Sequence, residues 1–260
     1  MCTFYRKAEG LQRVGSGLKA IVLIDRKLDT PFVTRSSGEY PLMDLEQVWK
    51  IREEELYPSL FGPISRGIFP LTHQLFAERF KQADIDPRWL FQGVFEFAPT
   101  ADRPSWIYAT SGYSNPWDTE PENYNPADES GAGVEFTFSV SEQSDWAIQT
   151  LQYVLAFDIL LGAGRFAGGD RLSLHDRIPL HAPINGQPNC LLRNLMLVER
   201  EDGPQEFSLP SGEVILIGFT GITDAELAFA KANGSPALIE ILRKAGYHPV
   251  TDPNRQSLPV

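Results

Sequence analysis

The sequence predicts an α+β fold in which helices pack on a mixed, mainly antiparallel β-sheet and one central helix is largely buried. Strand-like and helix-like segments follow one another without regular alternation, so a doubly wound nucleotide-binding fold is not indicated. Several strand-like segments have one polar face, which is typical of antiparallel sheets. Residues 145–162 carry apolar side chains around almost their full circumference, the pattern of a helix enclosed by other elements.

The N-terminal part of the chain predicts strands followed by a helix. β-Branched residues in LKAIVLIDRK (18–27) indicate a buried strand, and TPFVTRSSGEYP continues as a short strand into a turn. Apolar residues at helical spacing then predict a helix over 43–57, with Asp44 as its N-cap and Pro58 as its stop.

A second helix is predicted over 71–85, because its apolar residues again share one stripe. Thr72 is the candidate cap, and Asp86 and Pro87 are expected to end the helix. Aromatic and β-branched runs then predict three strands, at 88–99, 106–110 and 133–140. In the last of these strands apolar and polar side chains alternate, which predicts one buried and one exposed face.

Residues 114–131, SNPWDTEPENYNPADESG, are the least core-like segment of the chain. They contain three prolines, three asparagines and five acidic residues, and neither lysine nor arginine. Proline and asparagine favour turns, and unbalanced charge favours contact with solvent. We therefore predict an exposed segment, which we call the acidic loop.

The long helix over 145–162 is followed by a glycine-rich segment. Ser144 or Asp145 is the expected N-cap of the helix. The following GAGRFAGGD (162–170) resembles a phosphate loop in its glycines, but it follows a helix and lacks the Gly-Lys-Ser/Thr ending. A helix C-cap and a turn are therefore predicted there.

The C-terminal part predicts strands followed by two helices. The strands are expected at 171–180, 192–201 and 212–221. Residues 222–250 predict a helix, a break at NGSP and a further helix. Thr223 and Glu226 have the spacing of a capping box for the first of these helices.

The charge balance excludes one class of partner. The chain carries 34 acidic and 23 basic residues, a formal net charge of −11. Such a charge repels phosphate backbones, and no cluster of Lys and Arg with interleaved aromatics offsets it. Nucleic acid is therefore not expected as a partner, whereas a basic protein would be steered towards this surface.

Cysteine use and hydropathy predict a cytoplasmic protein without membrane association. The two cysteines, Cys2 and Cys190, form neither a disulfide framework nor a zinc pattern, and they fit a reducing compartment. Arg6 and Lys7 are not followed by the apolar stretch of a secretion signal. The longest strongly apolar segment, 146–161, falls short of the roughly 20 residues that a membrane span needs.

A search for catalytic chemistry leaves one alternative to a binding protein. LHDRIPLH contains His175, Asp176 and His181, which would form the centre of a metal-dependent or small-molecule enzyme. In a strand, however, His175 and Asp176 point to opposite faces, and no third His or Cys lies nearby. Cys190 predicts a small buried thiol, and no Gly-x-Ser-x-Gly nucleophile motif occurs. We expect no catalytic residue, no metal and no cofactor.

Three segments, DPRWLF, RPSWIYATSGYSNPW and GAGVEFTFSV, together resemble the Suppressor of fused family, in its bacterial branch. The resemblance continues through DWAIQTLQYVLAFDILLG, the Gly-Asp turn of GGDRLSLHDRIPL and the closing LIGFTGITDAELAFAKANG, and it covers roughly residues 60–250. We accordingly expect an N-terminal strand and helix extension (1–58), a Suppressor of fused-like domain (59–250) and a C-terminal tail (251–260).

The resemblance implies a protein-binding module and not an enzyme. Animal members of the family resemble scaffolds that sequester a transcription factor by taking up a peptide as an added β-strand, and many bacterial members are thought to neutralise secreted toxins. What the resemblance implies here is a non-catalytic module that sequesters a protein partner, with an immunity protein as the favoured role. The net charge of −11 suits a basic toxin domain as that partner.

The hypothesis for the partner surface concerns the aromatic residues around the start of the acidic loop. Trp106 and Tyr108 share one face of a predicted strand and are expected in the core. Tyr113 and Trp117 are expected to be exposed beside the charged loop, an arrangement typical of interface hot spots. The alternative is that Pro116 and Trp117 fold back over a sheet edge. The predicted partner surface comprises Tyr113, Trp117, Asp118, Glu120, Glu122, Tyr124, Asp128 and Glu129.

Overall fold

The computed structural model describes residues 44–167 and 169–260, and one eight-stranded sheet organises these residues. The strands are β1 (Ile64–Pro70), β2 (Gly93–Phe97), β3 (Trp106–Ser111), β4 (Glu129–Val140), β5 (Arg177–Pro179), β6 (Leu192–Glu199), β7 (Glu206–Leu209) and β8 (Gly212–Thr223). Their order is β1-β2-β3-β4-β8-β6-β5, and β7 pairs with β8. The β4–β8 pair is parallel and the other pairs are antiparallel, which confirms the predicted mixed, mainly antiparallel sheet.

Helices surround this sheet. They are α1 (Leu45–Lys50), which continues through a π-helical segment (Ile51–Leu56) into α2 (Tyr57–Phe61), then α3 (Asp145–Gly162), α4 (Asp224–Asn233) and α5 (Ser235–Lys244). We call the continuous helix over 45–61 the N-terminal helix. A further π-helical segment (Leu75–Arg79) and two 3₁₀ segments (Pro87–Phe91 and Pro121–Asn123) connect the strands.

The described residues all belong to one compact unit, Tyr40–Val260. The predicted boundary after residue 58 therefore falls within the N-terminal helix. The segment expected as a tail, 251–260, contributes the buried Thr251 and Arg255. The strand predicted at 18–27 and the short strand after it lie outside the described residues.

The N-terminal helix begins as predicted but ends later. Asp44 caps it, because the Asp44 carboxylate accepts from Gln47 N and the Gln47 side chain accepts from Asp44 N. The prediction that Pro58 stops the helix is wrong. Pro58 lies within the continuous helix, directly after the π-helical segment. The Tyr57 N–H bonds to Arg52 O, five residues back, so the regular hydrogen-bond ladder is already interrupted where Pro58 lacks its N–H.

The second predicted helix, 71–85, is shorter than expected. Thr72 Oγ1 accepts from Leu75 N at 3.2 Å, as a cap does. Lys81 has a φ of +59°, a left-handed conformation that a helix cannot continue through, so the helix ends before this residue. Asp86 and Pro87 do not end the helix. They begin the 3₁₀ segment Pro87–Phe91, where Asp86 accepts from the backbone of Arg88.

Two strands were not expected from the sequence, and β2 and β5 are shorter than the strands predicted at 88–99 and 171–180. β2 is shorter because Pro87–Phe91 forms the 3₁₀ segment. β1 contains Gly67 and Pro70, which normally interrupt strands but are tolerated at a sheet edge, where β1 lies. β7 is a short strand beside β8. The strand predicted at 171–180 is reduced to β5, because residues 171–176 form turns and extended connections.

The sheet is packed on both faces. Neighbouring residues of β3 show this, since Tyr108 belongs to a cluster with the α3 residue Leu151, whereas Ile107 belongs to a cluster with the N-terminal helix residue Tyr57. A third cluster joins α4 and α5 to Met196 and Val198 of β6. The predicted central helix is confirmed as α3, with bounds that match 145–162, and eleven of its residues are buried.

Packing on both faces overturns one expectation. The alternating pattern of 133–140 predicted a strand with one exposed face, but every residue of that segment is buried, including Glu135 and Thr137. The polar side chains meet internal hydrogen-bond partners instead of water, as Glu135 does with Thr110 Oγ1 at 2.6 Å.

The predicted capping box of Thr223 and Glu226 is confirmed at the start of α4. Among the described helices, none is both long and apolar enough for a bilayer crossing.

Candidate functional site

The base of the acidic loop is fixed by a buried carboxylate. Glu135, fully buried on β4, accepts hydrogen bonds from Gly112 N at 3.0 Å, Ser114 N at 2.9 Å and Ser114 Oγ at 2.7 Å. Gly112 has a φ of +103°, and a Cβ there would lie 2.9 Å from Phe91 O. Only glycine fits this turn without strain, so the chain leaves β3 in one defined direction.

A buried arginine joins the N-terminal helix to the same turn. Arg52 is only 1% exposed, and its guanidinium donates to Ser111 Oγ at 2.9 Å, Ser114 Oγ at 3.2 Å and Asn115 Oδ1 at 2.7 Å. Glu53 lies 3.2 Å from the same group. Burial of a charge is costly unless it is paired and hydrogen-bonded, and both conditions are met here. The N-terminal helix and the start of the acidic loop are therefore held as one unit.

Tyr113 points into the core from this turn. It is 9% exposed, and its hydroxyl donates to the buried carboxylate of Asp158 on α3 at 2.7 Å. Burial has the largest effect on the pKa of Tyr113 and raises it far above its ordinary value, and the charge of Asp158 raises it further. The expectation that Tyr113 is exposed for partner contact is wrong, because the turn at Gly112 directs the ring towards α3. The neighbouring expectation for Tyr108 is confirmed, since that ring is fully buried.

Trp117 instead lies at the surface within a group of three aromatic rings. Its ring centroid is 6.1 Å from that of Trp49 on the N-terminal helix and 5.8 Å from that of Phe91 in the Pro87–Phe91 turn. The Trp49 and Phe91 rings are 6.2 Å apart and stacked. The Phe91 side chain is 57% exposed, and the two tryptophans are half-buried. We call Trp49, Phe91 and Trp117 the aromatic triad.

The aromatic triad is not packed as a core would be. The indole N–H groups of Trp49 and Trp117 are buried and have no acceptor among the described residues. A buried donor without an acceptor costs stability. Pro116 is buried, and the Trp117 ring contacts Trp49 on the N-terminal helix and Phe91 in the 3₁₀ segment.

The acidic loop continues from Trp117 of the aromatic triad to the start of β4. The acidic loop is exposed from Asp118 onwards apart from half-buried Pro121 and Tyr124 and the buried Ser130, whereas its first residues, Ser114 to Pro116, are buried. Burial raises the pKa of Tyr124, and the nearby charges of Asp44 and Glu120 raise it further. Asp44 caps the N-terminal helix, so the loop runs beside the start of that helix.

One described basic side chain, Arg88, forms an ion pair with the acidic loop. Arg88 Nη1 lies 2.8 Å from Asp118 Oδ1, and within the described part of the chain it is the loop's ion-pair partner. The other loop carboxylates are exposed and have no ion pair to a described residue: Glu120, Glu122, Asp128 and Glu129. The Arg88–Asp118 pair joins the loop to the segment that carries Phe91, and the buried Tyr113 does not belong to the exposed part of the predicted surface.

Two members of the aromatic triad escaped sequence reasoning. Trp49 was one of several apolar residues of the predicted 43–57 helix, and Phe91 fell within the predicted strand over 88–99. The signal available was DPRWLF, in which Pro87 follows Asp86 and favours a turn where the strand was expected. The contact of Trp117 with Trp49 spans distant parts of the sequence, and no local pattern encodes it.

The alternative enzyme centre is not assembled as a ligand set. His175 and His181 both have positive φ, +72° and +61°, and thus lie in turns. The backbone N–H of His175 donates to Leu197 O, and Asp176 accepts from the Ser173 backbone. Within residues 44–167 and 169–260, no group of three His, Cys, Asp or Glu side chains is placed to hold a metal. Cys190 is a buried free thiol, as predicted.

The fold and this surface define a class: a helix-covered sheet that carries an exposed aromatic and acidic surface, as protein-interaction modules do. The chain belongs to the Suppressor of fused family, because the family model described as Suppressor of fused protein matches residues 92–256, well over half of the sequence. This confirms the resemblance seen in the sequence. Membership suggests a non-catalytic protein-interaction module. No curated protein matches the chain.

Two solved Suppressor of fused structures share the fold. The crystal structure of the Sufu–Fu complex has a TM-score of 0.58 and 18% identity, over 84% of this chain and 92% of that chain. Drosophila Suppressor of Fused has a TM-score of 0.51 and 20% identity, over 71% of this chain and 48% of that chain, so this chain spans about half its length. A Suppressor of fused homolog from Neisseria gonorrhoeae FA 1090 has a TM-score of 0.46 and 16% identity, over 71% and 92%.

Proposed function

We propose that this chain is a non-catalytic module that captures a protein partner through the aromatic triad and the acidic loop. In the favoured form of this proposal it acts in the bacterial cytoplasm as an immunity protein that neutralises a basic toxin domain. The observation that carries the proposal is the exposed Phe91 ring of the aromatic triad, whose member Trp117 opens a loop with four exposed carboxylates that have no ion pair to a described residue.

Aromatic rings and charges contribute to capture in different ways. Large aromatic side chains at the centre of an interface supply most of its binding energy, because they bury much area with few rotamers to fix. Surrounding charges mainly raise the association rate and select the sign of the partner. The net charge of −11 acts in the same direction as the loop. A neutraliser must bind quickly and hold tightly, and this combination meets both needs.

Buried hydrogen bonds hold the turn before Trp117 in the absence of a partner. Arg52 and Glu135 fix the turn that leads to Trp117, and Arg52 belongs to the same helix as Trp49. A surface that is already ordered loses less conformational entropy on binding than a flexible loop does. That the Sufu–Fu structure is a complex of a family relative supports a protein as the partner class.

The proposal is tested by affinity capture of the tagged full chain from its own host, with mass spectrometry of the retained proteins. The chain is used as wild type, as Phe91→Ala, as Trp117→Ala and as Tyr153→Ala. Tyr153 is a matched control, because it is an aromatic residue with 38% exposure on α3, outside the proposed surface. We expect a basic protein to be retained by wild type and Tyr153→Ala, and to be lost with the two triad variants.

Salt separates the two contributions. Raising it from about 0.1 M to about 1 M shortens the screening length from about 10 Å to about 3 Å, which weakens contacts between exposed charges. Retention should therefore fall at high salt. If nothing is retained at either salt, or if Tyr153→Ala removes the partner as fully as Phe91→Ala does, the proposed surface is wrong.

Neutralisation is tested separately from capture. The captured partner is produced in cells that contain the wild-type chain, the Phe91→Ala variant or neither. An immunity protein should restore growth as wild type and fail to do so as the variant. A captured partner that does not harm cells would contradict the immunity role, while the capture itself would stand.

A further inference from the structure

Arg88 occupies a position at the proposed surface that a cation of the partner would also fit. Building on the proposed function, we propose that the surface recognises an arginine-bearing segment, whose guanidinium replaces Arg88 on Asp118 and stacks beside the Phe91 and Trp117 rings. Arg88 is then an internal competitor that holds the site closed to other cations until the partner binds.

The geometry of Arg88 allows this exchange. Its guanidinium bridges two carboxylates, with Nη1 at 2.8 Å from Asp118 Oδ1 and Nη2 at 2.7 Å from Asp86 Oδ2. The Arg88 Nε and backbone N–H groups also donate to Asp86, each at 2.9 Å. Arg88 is therefore tied to Asp86 by three contacts and to Asp118 by one. It can release Asp118 and remain paired.

Exposure makes the contact with Asp118 the weaker one. The side chain of Asp118 is 88% exposed and that of Arg88 is 45% exposed, whereas that of Asp86 is 29% exposed. Solvent-exposed ion pairs contribute little to stability, because water solvates both charges almost as well. Arg88 hydrogen bonds hold the pKa of Asp86 below its ordinary value, which agrees with a persistent Arg88–Asp86 pair. Replacement of Arg88 at Asp118 thus exchanges one exposed pair for another.

The aromatic triad favours arginine over other cations at this position. Phe91 lies in the same 3₁₀ segment as Arg88, and Trp117 directly precedes Asp118. A guanidinium is planar, stacks on aromatic faces and donates to a carboxylate in the same plane, whereas a lysine ammonium does only part of this. The negative charge of the acidic loop disfavours an acidic segment by repulsion.

The proposal predicts opposite effects for two substitutions that break the same ion pair. Asp118→Asn removes the acceptor of the partner's arginine, so it should weaken binding. Arg88→Gln removes the competitor and one positive charge, so it should strengthen binding. A purely structural role of the Arg88–Asp118 pair in holding the loop predicts weaker binding for both variants.

The experiment is an NMR titration of the ¹⁵N-labelled full chain with a blocked peptide that contains two arginines flanked by leucines. A control peptide carries citrulline, the neutral analogue of arginine, at the same positions. The indole N–H signals of Trp49 and Trp117, assigned from Trp→Phe variants, and the side-chain Nε–H signal of Arg88 report binding. We expect all three signals to move with the arginine peptide and to stay in place with the citrulline peptide.

The variants give the decisive comparison. An exposed ion pair corresponds to a change of up to about five-fold in affinity, so we expect Arg88→Gln to bind the arginine peptide roughly two- to five-fold more tightly than wild type. Asp118→Asn should bind it more weakly by a similar factor. Arg88→Lys keeps the charge but loses the paired N–H donors of the guanidinium, so its affinity for the arginine peptide should lie between those of wild type and Arg88→Gln. It replaces Arg88→Gln in the comparison if that variant does not fold.

Several results would overturn the proposal. They are equal binding of the arginine and citrulline peptides, weaker binding by both Arg88 variants, and indole signals that do not respond to either peptide. The titration needs no biological partner, so its failure is distinct from failure of the proposed function. A chain that binds the arginine peptide but captures no protein would fail the proposed function alone.

Discussion

Replacement of Arg52 by methionine tests whether the buried network positions the aromatic triad. Methionine keeps most of the side-chain volume but removes the charge and the donors. Three side chains then lose a hydrogen bond from a charged group: Ser111, Ser114 and Asn115. The buried Glu135 carboxylate also loses a nearby positive charge, because Ser114 Oγ accepts from Arg52 and donates to Glu135. Breaking one partner of such a buried charged group costs about 3–5 kcal/mol of stability.

The measurement is the free energy of unfolding from urea denaturation, together with the thermal midpoint. For a domain of this size 1 kcal/mol corresponds to roughly 2–4 °C, so Arg52→Met should lower Tm by about 6–20 °C. Arg79→Met is the matched control, since Arg79 is exposed and contacts the Tyr153 ring at 5.2 Å. That control should change the unfolding free energy by less than about 0.5 kcal/mol. A loss below about 1 kcal/mol in Arg52→Met would refute the positioning role.

Three further predictions concern binding, packing and pH. Phe91→Ala should weaken partner binding by about 2 kcal/mol, or roughly 30-fold, while Tm stays near that of wild type, as measured by calorimetry. Trp146→Ala should cost about 3 kcal/mol of unfolding free energy, because its half-buried ring packs edge-on against a core phenylalanine at 5.7 Å. Burial lowers the pKa of His248 in the folded chain below 6.5, and this effect exceeds the opposite effect of the Glu201 carboxylate, which lies 3.2 Å from Nε2. The free energy of unfolding should therefore fall as pH drops below about 6.5.

The sign of the pH effect follows from proton binding. Below its ordinary pKa His248 binds a proton in the unfolded chain more readily than in the folded chain, so acid favours unfolding. Carboxylates with lowered pKa values, such as Glu226, add a loss only below 4.5, which separates the two ranges. His248→Gln should flatten the unfolding free energy between about pH 6.5 and pH 5. An unchanged pH profile in that variant would contradict the assignment.

The other two predictions have equally clear contrary results. A Phe91→Ala variant that binds its partner normally, or that melts much earlier than wild type, would place that ring outside the interface or inside the core. A Trp146→Ala variant with unchanged stability would contradict the packing of that ring on the sheet. Tyr153→Ala serves as the exposed aromatic control for both measurements.

The local pattern of apolar residues predicted the helix that is buried around most of its circumference. α3 was predicted with its bounds because apolar residues surround it and glycines follow it, and both signals are local. β1 was missed because Gly67 and Pro70 normally oppose a strand, and their tolerance depends on the edge position that only the assembled sheet defines. The two buried faces of β4 were missed because polar Glu135 and Thr137 indicate solvent unless internal partners exist.

The candidate site was predicted in part for the same reason. The acidic loop and Trp117 are visible in the sequence, since charge and turn residues are local features. The positive φ at Gly112 directs Tyr113 inward, and the sequence contains no measure of that direction. Trp49 and Phe91 join Trp117 through tertiary contacts, which pattern reasoning on a single sequence does not detect.

The aromatic triad and the acidic loop form the proposed interface with a protein partner. Hydrogen–deuterium exchange of the full chain, alone and bound to the captured partner, tests it most directly. Binding should slow exchange in the segments that carry the surface: 45–50, 87–91 and 117–124. Slowed exchange confined to other segments, such as the β1 edge or the exposed side of α3, with those three unchanged, would contradict it.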